Sequence, residues 1–310
     1  MFERRSLIKL SFGLFISVIF AGNILSLAQE KGPIRTVTIT VVAERENATI
    51  PNLTKDDFSV RVGGERQKIL SVKSLKDNVP LYLALLIQDD VTGNVGNDLD
   101  QLREFIKDLP SGTHVLVAYA RSGSNEIRQG FTADLAAAAK SLRIPSSSEA
   151  TAPGSPYQAM IDVLKEFPNR SDVREVLIFI SDGLDLYYGL RDSAPTLNLN
   201  LQRAINAAQG KNVVVYSIYA PTVGPAAQTS LGVSNGQSSL TRLSMETGGE
   251  AFFTGRDFIS AAPHLKRIDR RLDQQYLITF RLTKPRPGFN RIKVTTEYPD
   301  LRIYVREGER

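Results

Sequence analysis

Leu81-Tyr82-Leu83-Ala84-Leu85-Leu86-Ile87-Gln88-Asp89-Asp90 is an apolar run that stops abruptly at two adjacent carboxylates. A run apolar at consecutive positions buries both of its faces, which suits a central strand of a parallel sheet covered by helices on each side. Two more runs share this character: 176–180, which closes on Ser181-Asp182-Gly183, and 213–219, which closes on Ala220-Pro221. Carboxylates therefore collect at the carboxyl ends of strands. In open α/β sheets ligands bind at that edge, because the strand-to-helix loops diverge there and leave a crevice. The fold class expected is α/β and Rossmann-like, with a central, mostly parallel sheet.

Between and around these runs the periodicity changes to that of helices. Asn97 or Asp98 can cap a helix whose Leu99, Leu102, Phe105, Ile106 and Leu109 form one apolar stripe. Strands are expected over 113–120 and, as a short edge, 127–131, and helices over 134–142 and 157–167. A helix over 258–273 turns Leu265, Ile268 and Leu272 inward and Lys266, Arg267, Arg270 and Arg271 to solvent. Residues 144–155, 185–198 and 221–237 read as long loops, rich in Ser, Pro, Ala, Gly and Thr, that surround the acidic crevice.

The two flanks differ in kind. Residues 34–42, 58–62, 276–282 and 292–296 alternate apolar and polar side chains, and Gly63-Gly64 marks a turn. Each flank has an apolar face to bury and neither is large enough to form a core alone. They are expected to pack together as one small, antiparallel, sandwich-like unit. The boundaries read as 29–78 for the first flank, 79–273 for the α/β domain inserted between them, and 274–310 for the second.

At the amino end Arg4, Arg5 and Lys9 precede the apolar stretch 10–27, and Ser26-Leu27-Ala28 offers a small-x-small cleavage site. This is the pattern of a secretory signal peptide over 1–28, giving a periplasmic or extracellular mature chain with no stable membrane span after cleavage. The chain has no cysteine and two histidines, His114 and His264. Disulfides, thiolate metal sites and a cysteine lipid anchor are thereby excluded, and histidine chemistry has no partner to work with. The formal charge is +5, of which residues 1–28 carry +2, leaving +3 spread along the mature chain. That mild excess does not argue for nucleic acid.

The stretch 81–94, the helix that follows it and Ile178-Phe179-Ile180-Ser181-Asp182-Gly183 together resemble a von Willebrand factor A domain. The resemblance extends over Ile34 to Arg306, to the bacterial VWFA-related domain proteins first noticed in Acidobacteria. It is carried there by Leu53-Thr54-Lys55-Asp56-Asp57-Phe58-Ser59-Val60, Gln67-Lys68-Ile69, Gln275-Tyr276-Leu277 and Arg291-Ile292-Lys293-Val294. The resemblance implies a metal-ion-dependent adhesion site: Asp-x-Ser-x-Ser after the first strand, a Thr from a second loop and an Asp after a later strand. These hard oxygens hold a divalent cation such as Mg²⁺ and leave one position for a partner's carboxylate. Asp182 matches the last element. The first reads either as Asp90-x-Thr92-x-Asn94 or as Gln88-x-Asp90-x-Thr92, and both registers put Asp90 and Thr92 in ligand positions. The Thr position falls on Gly154, with Ser155 or Thr151 as substitutes. The candidate ligands are Asp90, Thr92, Asn94, Ser155 and Asp182, a degenerate version of the motif. Two carboxylates about 4 Å apart repel by roughly 4 kcal/mol at an effective dielectric near 20, so Asp90 and Asp182 want a cation, a shared proton or separation. Asp89, one residue out of phase, is expected to point the other way and to cap or face solvent.

The chain shows no Gly-rich phosphate loop and no nucleophile with a base beside it. The expected function is a non-enzymatic interaction module of the adhesion or scaffold type, with another protein as partner. The alternative is a divalent-cation-dependent hydrolase or phosphotransfer enzyme using the acidic crevice.

Overall fold

The strand Leu81–Gln88 sits in the middle of a six-stranded sheet in the computed structural model, which describes residues 32–44, 50–76, 79–148, 154–170, 172–283 and 286–309. The signal-peptide reading over 1–28 lies outside these residues. In chain order the elements of the first flank are β1 (Ile34–Ala43), β2 (Phe58–Val62) and β3 (Glu65–Ser74). The α/β part follows with β4 (Leu81–Gln88), α1 (Leu99–Lys107), β5 (His114–Arg121), β6 (Ser124–Thr132), α2 (Leu135–Lys140) and α3 (Pro156–Glu166). It continues through β7 (Arg174–Ser181), α4 (Leu199–Lys211), β8 (Val214–Tyr219), α5 (Ser230–Thr247), β9 (Ala251–Phe252) and α6 (Ala262–Asp273). The second flank supplies β10 (Gln275–Arg281), β11 (Asn290–Thr296), β12 (Leu301–Val305) and β13 (Gly308–Glu309).

The α/β sheet runs in the order β6-β5-β4-β7-β8-β9, parallel throughout except for the antiparallel edge strand β6. Its central strands are apolar on both faces because both faces are covered. Leu83, Leu85 and Ile87 pack with Leu102 and Ile106 of α1 and with Leu265, Ile268 and Leu272 of α6. Ala84 and Leu86 point the other way, toward Met160 and Val163 of α3, Leu201 and Ile205 of α4 and Leu240 of α5. Each such Leu or Ile taken out of water contributes about 1.5–3 kcal/mol, and that sum fixes the register of the strand.

Local signals place the helices with some differences from the sequence reading. Asp134 caps α2 through the Ala137 amide at 2.9 Å, and Asn198 caps α4 through Leu201 at 2.9 Å. Asp98 precedes α1, yet its carboxylate makes no cap there and instead accepts from the Ala261 amide and Ser260 hydroxyl, tying α1 to the start of α6. The expected loop 221–237 is a loop only as far as Thr229, whose hydroxyl caps α5 at Gly232. Gly and Ser suppress a helix reading by propensity, but here they let the helix lie against backbone: a Cβ on Gly236 would stand 2.0 Å from the Asp182 carbonyl oxygen. The basic residues of α6 are also less idle than expected, since Arg267 and Arg271 both pair with Glu250, at 2.8 and 3.1 Å.

The flanks form a seven-stranded antiparallel sheet in the order β12-β1-β10-β3-β2-β11-β13. Strand β10, from the second flank, lies between β1 and β3 of the first. The strands hydrogen-bond as one sheet rather than the two stacked layers of a sandwich. Val37, Ile39 and Val41 of β1 nevertheless share one apolar cluster with Ile278 and Phe280 of β10, Val60 of β2 and Val294 of β11. The sheet is therefore curled over its own inner face.

Candidate functional site

In the α/β sheet the chain runs outward from β4 through β5 to β6, then returns to the other side of β4 for β7, β8 and β9. Between β4 and β7 the direction of winding reverses, and the loops leaving the two strands part company. Asp90 follows β4 and Asp182 follows β7, so the strand pairing that ends at Ile87 and Ile180 carries both carboxylates to this point. They line a cavity of about 290 Å³, together with Gln88, Arg121 and Thr222 and with apolar walls that include Leu184 and Pro225.

Asp182 is 2% exposed. Its Oδ1 accepts from the Leu184 amide at 2.9 Å and its Oδ2 from the Thr222 hydroxyl at 2.6 Å. Burial pushes its pKa up to about 7; the hydrogen bonds from Thr222 and Leu184 oppose that shift, and the nearby charge of Asp90 adds to it. Asp90 is half-buried and is also raised, by burial first and by Asp89 last, against a side-chain bond from Gln88 and the charge of Arg121. Gln88 is the last residue of β4, and its Oε1 accepts from Ser181 at 2.5 Å and from the Asp182 amide at 3.3 Å. A neutral amide thus stands where the strand ends. The loop after β4 is pinned to the loop after β8: the Thr92 amide donates to the Pro221 carbonyl at 2.9 Å and the Val223 amide to that of Asp90 at 3.0 Å.

The other sequence candidates lie elsewhere. Thr92 is half-buried at the start of a 3₁₀ turn and Asn94 is exposed on that turn; neither lines the cavity. Ser155 is buried, but its hydroxyl donates to Asp185 Oδ2 at 2.8 Å, where Asn200 also donates at 2.9 Å. Gly154 lines the cavity with backbone alone, and a Cβ there would stand 2.2 Å from the Ser122 carbonyl carbon. No threonine fits that position with this backbone, so the hydroxyl expected from the second loop is missing for a steric reason. Thr151 lies outside the described residues. The hydroxyl that does reach Asp182 is Thr222, which the sequence reading passed over. Its signal was its place just past the apolar run that ends β8.

Asp89 is not a solvent-facing residue. It is 3% exposed, and its carboxylate accepts from Arg143 at 2.6 Å, Arg121 at 3.2 Å and both the amide and hydroxyl of Ser146, at 3.0 and 2.7 Å. Although burial pushes its pKa up, the bonds from Arg143 and Ser146 outweigh it and hold Asp89 down to about 2. The result is a strap that fastens the loop 143–148 to the end of the sheet.

An inner parallel sheet with one antiparallel edge, helices on both faces and an acidic crevice where the winding reverses are now in place. The fold is a doubly wound, mostly parallel α/β sheet, and von Willebrand factor A structures are among the solved structures similar to it. No family model matches the chain, and no curated protein does. Solved structures similar to it include BatB, a conserved hypothetical protein from Bacteroides thetaiotaomicron, at 14% identity over 63% of this chain and 97% of that one, with a TM-score of 0.45. A von Willebrand factor type A protein from Catenulispora acidiphila is 9% identical over 87% of this chain and 71% of that one, with a TM-score of 0.43. The SpRpn10 VWA domain is 14% identical over 52% and 84%, with a TM-score of 0.33. At these identities and scores nothing about function follows from the likeness.

The donor set meets a divalent cation halfway. Two carboxylates and the Thr222 hydroxyl supply about half of an octahedral shell. Among the described residues no group of three or more acidic or histidine side chains is placed to hold a metal. A cation such as Mg²⁺ at this point would be held by Asp90 and Asp182, with water or a foreign carboxylate completing its shell.

Proposed function

We propose that the protein is an exported, non-enzymatic interaction module that receives another protein at the crevice between β4 and β7, with a degenerate adhesion site at its base. The observation that supports this is the convergence of Asp90 and Asp182 on one cavity at the point where the sheet's winding reverses. Their raised pKa values call for a cation, a proton or a partner's donor groups. Export rests on the amino-terminal sequence; among the described residues no helix is long and apolar enough to cross a membrane.

Cation binding in the free protein is expected to be weak, in the millimolar range, because half the shell is missing. Calorimetry and thermal melts in Mg²⁺, Mn²⁺ and EDTA measure it, and identical behaviour in all three would leave a metal-free surface as the site. Partner capture from envelope extracts, with Asp90→Ala against Lys266→Ala as a remote control, tests the crevice itself. A partner lost only with Asp90→Ala supports the reading; capture unchanged by that substitution would sink it. The alternative, a cation-dependent hydrolase or phosphotransfer enzyme, predicts Mg²⁺-dependent turnover of generic phosphate esters that disappears in Asp182→Asn.

A further inference from the structure

At the opposite end of β7 from the crevice lies a second, larger cavity of about 690 Å³, walled by β1, the turn after α3 and the end of α4. Its one carboxylate is Glu175, which is 7% exposed and whose Oε1 is buried without any hydrogen-bond partner. An acceptor in that state loses hydration and gains nothing in return, which folded proteins rarely leave standing. Burial accordingly pushes Glu175 up to about 7, against the attraction of Lys211.

The rest of the lining has the opposite charge. Arg35, Arg170, Lys211 and Arg306 all border the cavity, and the carboxamides of Asn169 and Asn206 stand among them. Each of these cations has a partner: Arg170 pairs with Asp172 at 2.6 Å, Lys211 donates to the Phe167 carbonyl at 3.0 Å and Arg306 to that of Gln209 at 2.6 Å, and Arg35 is engaged as well. The cations still outnumber the lone carboxylate, and the cavity walls concentrate their field. A simple anion would suit the cations but leave Glu175 without a donor and facing a like charge. An ammonium would suit Glu175 but meet four cations. What satisfies both is an anion that also carries neutral hydrogen-bond donors.

We infer that this cavity is a binding site for a small polyhydroxylated anion, an acidic saccharide of the uronate type, whose hydroxyls donate to Glu175 and whose carboxylate faces Lys211 and its neighbouring cations. The carboxamides supply the paired donors and acceptors that sugar hydroxyls use, and the cavity has room for one or two sugar rings. The site is independent of the crevice and of what binds there.

Titration calorimetry of the mature chain with D-glucuronate, D-glucose, acetate, inorganic phosphate and glycine tests the inference. Glucuronate is expected to bind at least about tenfold more tightly than each of the others. Glu175→Gln and Lys211→Ala should each weaken it about tenfold while the melting temperature stays within a few degrees of the parent's. No heat with glucuronate at about 10 mM would overturn the proposal. Equal binding of phosphate or acetate would reduce the cavity to an unselective anion site, and unchanged affinity in folded Glu175→Gln would remove the carboxylate from recognition; either result refutes it.

Discussion

The peptide unit joining Asp89 to Asp90 separates two carboxylates of opposed acidity, one held down to about 2 by Arg143 and Ser146 and the other raised by burial. Strand alternation sends them to opposite sides, and what waits on each side decides the rest. Asp89 favours the folded state above its ordinary value near 3.8, and this contribution is lost as pH falls toward about 2. Asp89→Asn should therefore cost about 2 kcal/mol at pH 7, discounted for the partial exposure of both arginines, and the gap from the parent should close near pH 2 in denaturant melts. Asp182 has the reverse sign: its folded value, about 7, lies above 3.8, so its penalty is absent below about pH 4 and grows as pH rises to 7. Asp182→Asn keeps the shape and the acceptor for Leu184, and is expected to match the parent near pH 4 and exceed it by about 1–3 kcal/mol at pH 8. A variant less stable than the parent at pH 8 would show that Asp182 is charged and well compensated there. Asp90 and Asp182 could be picked out in the sequence because each follows an apolar run, whereas the buried pairing of Asp89 with Arg143 and Arg121 could not. Nor could Thr222 and the buried face of Gln88, since their roles depend on strands brought together from 40 and more than 90 residues away.

Helix α5 carries the clearest lesson about elements. Its first half, Ser230-Leu231-Gly232-Val233-Ser234-Asn235-Gly236, has the composition of a loop, and propensity alone makes it one. Tertiary contact overrides propensity because the missing side chains let the helix touch the strand end that carries Asp182. Gly236→Ala should push the helix off that backbone, lowering stability by about 3 kcal/mol or more and loosening the crevice wall. Gly210→Ala, in α4 with open space around it, should instead raise stability by about 0.5–1 kcal/mol. Paired chemical-denaturation curves decide between propensity and contact: if both substitutions stabilise, the close approach of α5 is not real. The central parallel strands needed no such context to be read, because a run apolar on both faces has few other places to go.

At the scale of the molecule, the alternation of the flanking strands predicted that they would be buried but not in which order. Antiparallel neighbours are chosen by matching faces over long separations, and several pairings satisfy the same pattern. The order found puts β10 between β1 and β3. Deleting residues 275–310 should then do more than shorten the chain: both N-terminal strands lose the neighbour they share, and Val37, Ile39 and Val60 lose Ile278, Phe280 and Val294. The truncated protein is expected to bind a hydrophobic dye and to melt without a sharp transition, and the full chain to melt cooperatively. A truncated chain with the parent's transition would show that the first flank stands alone.

That central position of β10 also sets a clock. A ribosome makes β1 some 240 residues before the strand that must lie beside it, as the pairing of Ile34 with Arg281 requires. Until then the first flank has a gap in its sheet that nothing earlier in the chain fills. Closing so long a loop is slow, so the nascent chain stays unfinished at its leading end throughout synthesis. The strand order thus delays completion of the sheet until β10 has been made, some 240 residues after β1.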